Sequence, residues 1–91
     1  MPRSYPPLSF EEVVQILEAR GFYFVRKKSS HHIYCGYWDG QKRIVTVDKG
    51  IHMFNDPKLI RNMVVQSGMS REEFYGATPK TAKKIGLQIK N

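Results

Sequence analysis

The sequence predicts an α+β domain in which a helix, three antiparallel strands and a second helix follow one another along the chain. Three observations predict it: an amphipathic segment with a capping pattern at Ser9, three stretches between residues 22 and 47 that are rich in aromatic and β-branched residues, and a second capped amphipathic segment at Asp56. Because the connections are short, both helices should lie on one face of the sheet.

The first helix follows an extended lead-in, residues 1–8, which contains three prolines. Ser9 is a good N-cap, and Glu12, three residues later, completes a capping box. Gly21 supplies the left-handed residue that ends many helices. The apolar residues that recur at helical spacing, and that we expect to face the core, are Phe10, Val13, Val14 and Leu17.

The three strands are predicted at residues 22–28, 32–38 and 43–47. Asp39-Gly40, between the second and third segments, is a strong signal for a two-residue hairpin turn. The sequence therefore predicts a meander of consecutive antiparallel strands.

The second helix is predicted to begin at Asp56, a capping residue, with Pro57 in its first turn and Gly68 at its end. Ser70 opens a further capping box and a short helical turn. We assign residues 9–78 to one domain and residues 79–91 to a basic C-terminal tail. Its alternating apolar residues are expected either to add a short strand or to dock on the domain; they are Ile85, Leu87 and Ile89.

Composition favours an anionic partner. The 91 residues carry a formal charge of +7 and a pI near 9.8, which suits nucleic acid or an acidic protein. The lone Cys35 excludes an intramolecular disulfide and fits a reducing compartment. No apolar run reaches the ~20 residues of a membrane span, so no membrane contact and a cytoplasmic protein are expected.

The segment from Lys27 to Tyr34 places two adjacent histidines beside a cationic run. Imidazole exchanges protons near neutrality because its unperturbed pKa is ~6.5, and lysines attract phosphate. Strand alternation predicts that His31 shares the core-facing side with Ile33 and Cys35, and that His32 is exposed. From the residues alone, His31 is therefore either a partly buried structural histidine or a catalytic one at the rim of a strand.

An ordered set of short motifs resembles the HicA toxin family, also called YcfA-like. The set comprises Gly21-Phe22, the basic strand 25–28, Ser29-Ser30-His31, the strand Val45-Thr46-Val47, and a stretch from Pro57 to Phe74. The resemblance implies a fold like that of double-stranded-RNA-binding domains. It also implies an endonuclease that acts on single-stranded or messenger RNA and whose catalytic residue corresponds to His31, and an acidic HicB-like antitoxin that covers this residue.

The chain departs from the family pattern at two positions. Ser29 replaces the glycine of the signature, and Asp48 replaces the proline that usually follows the Val-Thr-Val strand, with the downstream histidine displaced to His52. A non-glycine residue at position 29 could alter the turn that aims His31.

The predicted mechanism uses His31 as a general base on a ribose 2′-hydroxyl, with nearby lysines stabilising phosphate charge. Assisting groups are Ser30, His32 and Tyr34, besides water. Candidate RNA-binding cations are Arg26, Lys27, Lys28, Lys42 and Arg43. No metal or other cofactor is expected, because the carboxylates are scattered along the chain.

Two other functions stay open at this point. One is a noncatalytic RNA-binding module that keeps the scaffold and its charge. The other is a basic protein-interaction domain whose ligand is an acidic partner.

Overall fold

The computed structural model describes residues 5–87 and confirms the α+β architecture. A three-stranded antiparallel sheet has the order β2-β3-β4, and β1 pairs with β5 as a separate two-stranded ladder. The elements are β1 (Leu8–Ser9), α1 (Phe10–Ala19), β2 (Tyr23–Lys28), β3 (His31–Trp38), β4 (Gln41–Asp48), β5 (Met53–Phe54), α2 (Pro57–Ser67), α3 (Arg71–Tyr75) and α4 (Pro79–Ala82), followed by a 3₁₀ turn at Lys83–Ile85.

The predicted helix caps are confirmed. At α1, the Ser9 hydroxyl accepts from the Glu12 amide at 3.1 Å, and the Glu12 carboxylate accepts from the Ser9 amide at 2.8 Å. At α2, the Asp56 carboxylate accepts from the Lys58 amide at 3.0 Å, and Gly68 ends the helix with φ 78°. These bonds satisfy amides that the first turn of a helix leaves without an intrahelical partner.

The prediction of which strand face is buried was wrong. Tyr34, Val45 and Val47 belong to the hydrophobic core, whereas His31 and its alternate neighbours on β3 face the other way. The β3 sequence places apolar residues on both sides, so its alternation is ambiguous. The pairing with β4 determines which face of β3 is buried, because the core residues Val47 and Val45 stand opposite His32 and Tyr34. Cys35 is nevertheless buried.

Close packing of the core against the sheet requires glycine at position 36. A Cβ atom on Gly36 would lie 2.7 Å from the ring of Phe22, which is itself buried. The helix-covered face therefore has no space for a side chain at this point of β3.

Both ends of the described chain pack onto the domain. Leu8, in the predicted lead-in, is fully buried and pairs with Phe54. At the other end, Lys84 Nζ lies 3.5 Å from the buried carboxylate of Glu12. Ile85 lies in the 3₁₀ turn and packs against the core, so at this residue the chain docks on the domain and does not form a strand. Ile89, which belonged to the same prediction, lies outside the described residues.

Among the helices described between residues 5 and 87, none is both long enough and apolar enough to cross a membrane.

Candidate active site

The two adjacent histidines have different surroundings. The His31 side chain is 56% exposed at the first residue of β3. His32 points to the opposite face, where its ring lies 5.6 Å from Phe10 in an edge arrangement and 5.3 Å from Phe24. His31 is thus accessible to a ligand, whereas His32 packs between aromatic rings.

Asp48 faces His31 directly across the β3-β4 ladder, with 4.0 Å between His31 Nε2 and Asp48 Oδ2. The amide of Gly50 donates to Asp48 Oδ1 at 2.9 Å, and the Ser30 hydroxyl also donates to this carboxylate. The hydrogen bond from the Gly50 amide is the main cause that lowers the pKa of Asp48 below its ordinary value, and the bond from Ser30 acts in the same direction. The nearby His31 lowers this pKa slightly further. Asp48 is therefore a fixed anion at neutral pH.

The turn before His31 is tied to the loop that follows β4. Ser29 adopts φ 57°, a left-handed conformation that glycine adopts without steric strain. The amide of Lys49 donates to the Ser30 carbonyl oxygen at 2.8 Å. The two segments that carry His31 and Asp48 are consequently held together by backbone as well as side-chain hydrogen bonds.

A cleft of about 240 Å³ opens beside this pair, between the edge of the sheet and α2. His31, Thr46 and Asp48 line it on the strand side. The side chain of Gln66, on α2, accepts from the Thr46 amide at 3.1 Å and so fixes the helix to the exposed edge of β4. The cleft is open to solvent, and the imidazole of His31 and the carboxylate of Asp48 form part of its lining.

The predicted cations are divided between the two faces. Lys28 stands opposite His31 on the β2-β3 ladder, and Arg26 stands opposite Ile33 on the same side. Lys42 also shares this side, through its pairing with Tyr37. The structure thus brings three of the five cations to the face that carries His31.

The remaining two cations, Lys27 and Arg43, lie on the other face. Lys27 pairs with His32, and Arg43 donates to the carbonyl oxygen of Trp38 at 3.4 Å while packing beside Gly68. Arg43 is therefore engaged in joining the sheet to the end of α2.

The assisting groups predicted from the sequence are also separated. Ser30 contacts Asp48 and is near His31, whereas His32 and the buried Tyr34 point to the helix-covered face. The displaced His52 is exposed, and its carbonyl oxygen accepts from the Phe10 amide at 3.1 Å.

Asp48 was not predicted as a site residue, although the sequence contains a signal for it. A two-residue turn at Asp39-Gly40 fixes the hairpin register, and counting back along both strands places Asp48 opposite His31. Among residues 5–87, no group of three or more metal-ligating side chains (His, Cys, Asp or Glu) is arranged to hold a metal ion.

The comparison with family models identifies the chain. The model described as the HicA toxin of bacterial toxin-antitoxin systems matches residues 10–69, a span that includes His31, Asp48 and the cleft. The chain belongs to the HicA toxin family. Its HicA assignment implies a toxin that is paired with an antitoxin. No curated protein and no solved structure matched the chain.

Proposed function

We propose that this HicA toxin is a metal-independent endoribonuclease in which His31 is the general base. The observation that supports the proposal is the exposed imidazole at the rim of an open cleft, with an anchored carboxylate on one side and Lys28 on the other. An imidazole in such a position is accessible to a substrate and is suited to proton transfer near neutral pH.

In the proposed reaction, neutral His31 takes the proton from a ribose 2′-hydroxyl. The 2′-oxygen then forms a bond to the adjacent phosphorus, and the bond from phosphorus to the 5′-oxygen of the next nucleotide breaks. Water supplies the proton that the leaving oxygen needs. Lys28 stabilises the charge that develops on the phosphate oxygens. The products carry a 2′,3′-cyclic phosphate and a 5′-hydroxyl.

Asp48 has a positioning role in this proposal. Its carboxylate is held by Gly50 and Ser30, so it offers the protonated imidazole a fixed opposite charge at 4.0 Å. Because both side chains are partly exposed, solvent weakens the attraction between the two charges. Asp48 therefore tunes the reaction of His31 and is not expected to be essential.

The chemistry of the RNA ends tests the proposal. Purified protein is incubated with a long RNA in the presence of EDTA, and the termini of the fragments are analysed. Fragments with 2′,3′-cyclic phosphate and 5′-hydroxyl ends, formed at the same rate with and without EDTA, are expected. Activity that EDTA abolishes, or ends with a 5′-phosphate, would refute the histidine mechanism, and absence of cleavage would favour a noncatalytic RNA-binding module.

Two matched variants test the role of Asp48. Asp48→Asn keeps an oxygen for the Gly50 amide but removes the charge, and kcat should fall about two- to fivefold with little change in KM. Asp39→Asn removes the same charge at the far end of the hairpin, in a left-handed conformation that asparagine tolerates. Equal kcat for the two variants would remove Asp48 from the proposal.

We further propose that the antitoxin is an acidic HicB-like protein that inhibits the toxin by covering His31. The +7 charge supports this, since opposite charges accelerate association and salt should slow it. The test adds the purified product of the neighbouring gene to the cleavage assay. Complete inhibition at saturation and an on-rate that falls with salt are expected; full activity in the saturated complex would exclude occlusion.

A further inference from the structure

The face of the sheet that carries His31 is unusually apolar. On this face Tyr23, Val25, Tyr37 and Ile44 are 54%, 50%, 65% and 53% exposed. The solvent side of an antiparallel sheet usually carries polar residues. A group of half-exposed aromatic and aliphatic side chains is typical of a binding surface.

Register shows that this apolar surface is continuous with the candidate active site. Alternation along β3 places His31, Ile33, Cys35 and Tyr37 on one side, without irregularity in the pairing to β4. Tyr23 stands opposite Cys35. Since a strand rises ~3.3 Å per residue, the surface extends ~20 Å from His31 to Tyr37.

Cations line this surface along its whole length, and the two aromatic rings, Tyr37 and Tyr23, lie toward the end away from His31. Lys28 stands opposite His31, Arg26 opposite Ile33, and Lys42 opposite Tyr37. Arg26 and Lys42 line a shallow depression together with Tyr23. Aromatic rings interleaved with cations are the combination by which proteins stack unpaired bases and hold the phosphate backbone.

We infer that the open face of the sheet binds single-stranded RNA and leads the strand to His31. Bases stack on Tyr37 and Tyr23, and the backbone follows Lys42, Arg26 and Lys28. A paired duplex cannot present its bases to the rings, so unpaired RNA is the ligand. The inference rests on the proposed nuclease function only for the role of His31 at the end of the path; binding to the face is measurable without cleavage.

Stacking is tested with an uncleavable single strand, a fluorescein-labelled 2′-O-methyl RNA of about twelve nucleotides. Tyr37→Leu keeps an apolar side chain but removes the ring, and the affinity should fall about 5- to 100-fold. Tyr37→Phe keeps the ring and should bind within about twofold of the unaltered protein. If the two variants bind equally well, Tyr37 does not stack a base.

The path of the backbone is tested with two double variants of equal charge. Arg26→Ala with Lys42→Ala removes two cations from the open face, while Lys58→Ala with Arg61→Ala removes two exposed cations from α2. The first pair should lower the affinity and reduce the logarithmic salt slope by roughly 0.7 for each lost phosphate contact. The second pair should change neither.

Three results would overturn the inference. The first is a larger loss of RNA affinity in the α2 double variant than in the open-face double variant. The second is that RNA titration changes amide chemical shifts in the helices alone. The third is that the open-face variants keep their RNA affinity but no longer bind the antitoxin. The last result would make the face a protein-docking surface. Binding through the face without any cleavage would leave the inference intact and refute the nuclease function alone.

Discussion

The two faces of the sheet use similar residue types for opposite purposes. On the helix-covered face, Tyr34 is buried in the core and His32 lies between two aromatic rings. On the open face, Tyr37 is largely exposed and the His31 imidazole lies 4.0 Å from Asp48 at the edge of the sheet. One strand supplies both sets, because its successive side chains point in opposite directions.

This difference shows how a small domain can position reactive groups without disturbing its core. The helix-covered face is closely packed, so its residues contribute to stability. The open face projects side chains from rigid strands into solvent, where they are free to contact a ligand. Substitutions on the two faces should therefore separate stability from activity.

The largest expected effect compares the adjacent histidines. His31→Ala should reduce RNA cleavage by ~10²- to 10⁴-fold, the usual loss when a general base is removed, while the free energy of unfolding stays nearly unchanged. His32→Ala should keep the cleavage rate within a few fold but destabilise the protein by about 1 kcal/mol, through the loss of ring contacts. Cleavage rates and urea unfolding are measured on both variants.

The reverse pattern would overturn this assignment. If His31→Ala cuts RNA at the unaltered rate, His31 is not the base, whatever happens to stability. If His32→Ala loses cleavage while remaining folded, the reactive imidazole lies on the helix-covered face, and the open face is not the site of chemistry.

The second comparison is of packing. Gly36→Ala introduces a Cβ atom 2.7 Å from the buried Phe22 ring, and we expect a loss of about 1–3 kcal/mol in unfolding free energy. Ile44→Ala, at a half-exposed position on the open face, should cost roughly 0.5 kcal/mol or less. Urea denaturation midpoints measure both. Equal losses would mean that the open face is packed as tightly as the core.

The sequence predicted elements better than faces. Capping boxes at Ser9 and Ser70 and the Asp39-Gly40 turn are local signals, and each is present in the structure as predicted. The buried side of β3 depends on its pairing with Val45 and Val47, which the pattern of β3 alone does not contain. The short β1-β5 ladder was missed for a similar reason, since it joins segments far apart in the chain.

The candidate site shows the same limit. His31 was found through a motif, whereas Asp48 was noted only as a departure from the family pattern. Its relevance depends on the register of the β3-β4 hairpin, which brings it opposite His31. Residues that act through a cross-strand contact are found from sequence only when the turn that fixes the register is used in the argument.

A smaller effect is expected at the turn that presents His31. Ser29 adopts φ 57°, which costs an L-residue ~1–2 kcal/mol relative to glycine, although glycine loses more entropy on folding. Ser29→Gly should therefore raise the unfolding free energy by up to about 1 kcal/mol and retain cleavage. Thermal unfolding and the cleavage rate provide the measurements. Lower stability would show that Ser29 makes interactions that outweigh its backbone conformation.

The smallest expected effect is the pH dependence that two carboxylates, Asp48 and Glu73, give to the stability of the fold. Hydrogen bonds from backbone amides lower the pKa of Asp48 on the open face and of Glu73 in α3. The folded protein therefore binds these protons less tightly than the unfolded chain does. Each carboxylate stabilises the fold at a pH above its ordinary pKa, which is 3.8 for Asp48 and 4.5 for Glu73. This stabilisation is lost as the pH falls through the lower pKa of the folded state.

Melting temperatures between pH 7 and pH 2.5 measure this loss. Glu73→Gln should reduce the fall in melting temperature that begins near pH 4.5. Asp48→Asn should reduce the part of the fall that begins near pH 3.8. Gln at position 73 still accepts from the Ser70 amide, so the cap is retained and only the proton linkage is removed. Because both groups are solvent-accessible, salt should weaken each effect. If both variants follow the unaltered protein at every pH, the acid sensitivity of the fold arises from other carboxylates.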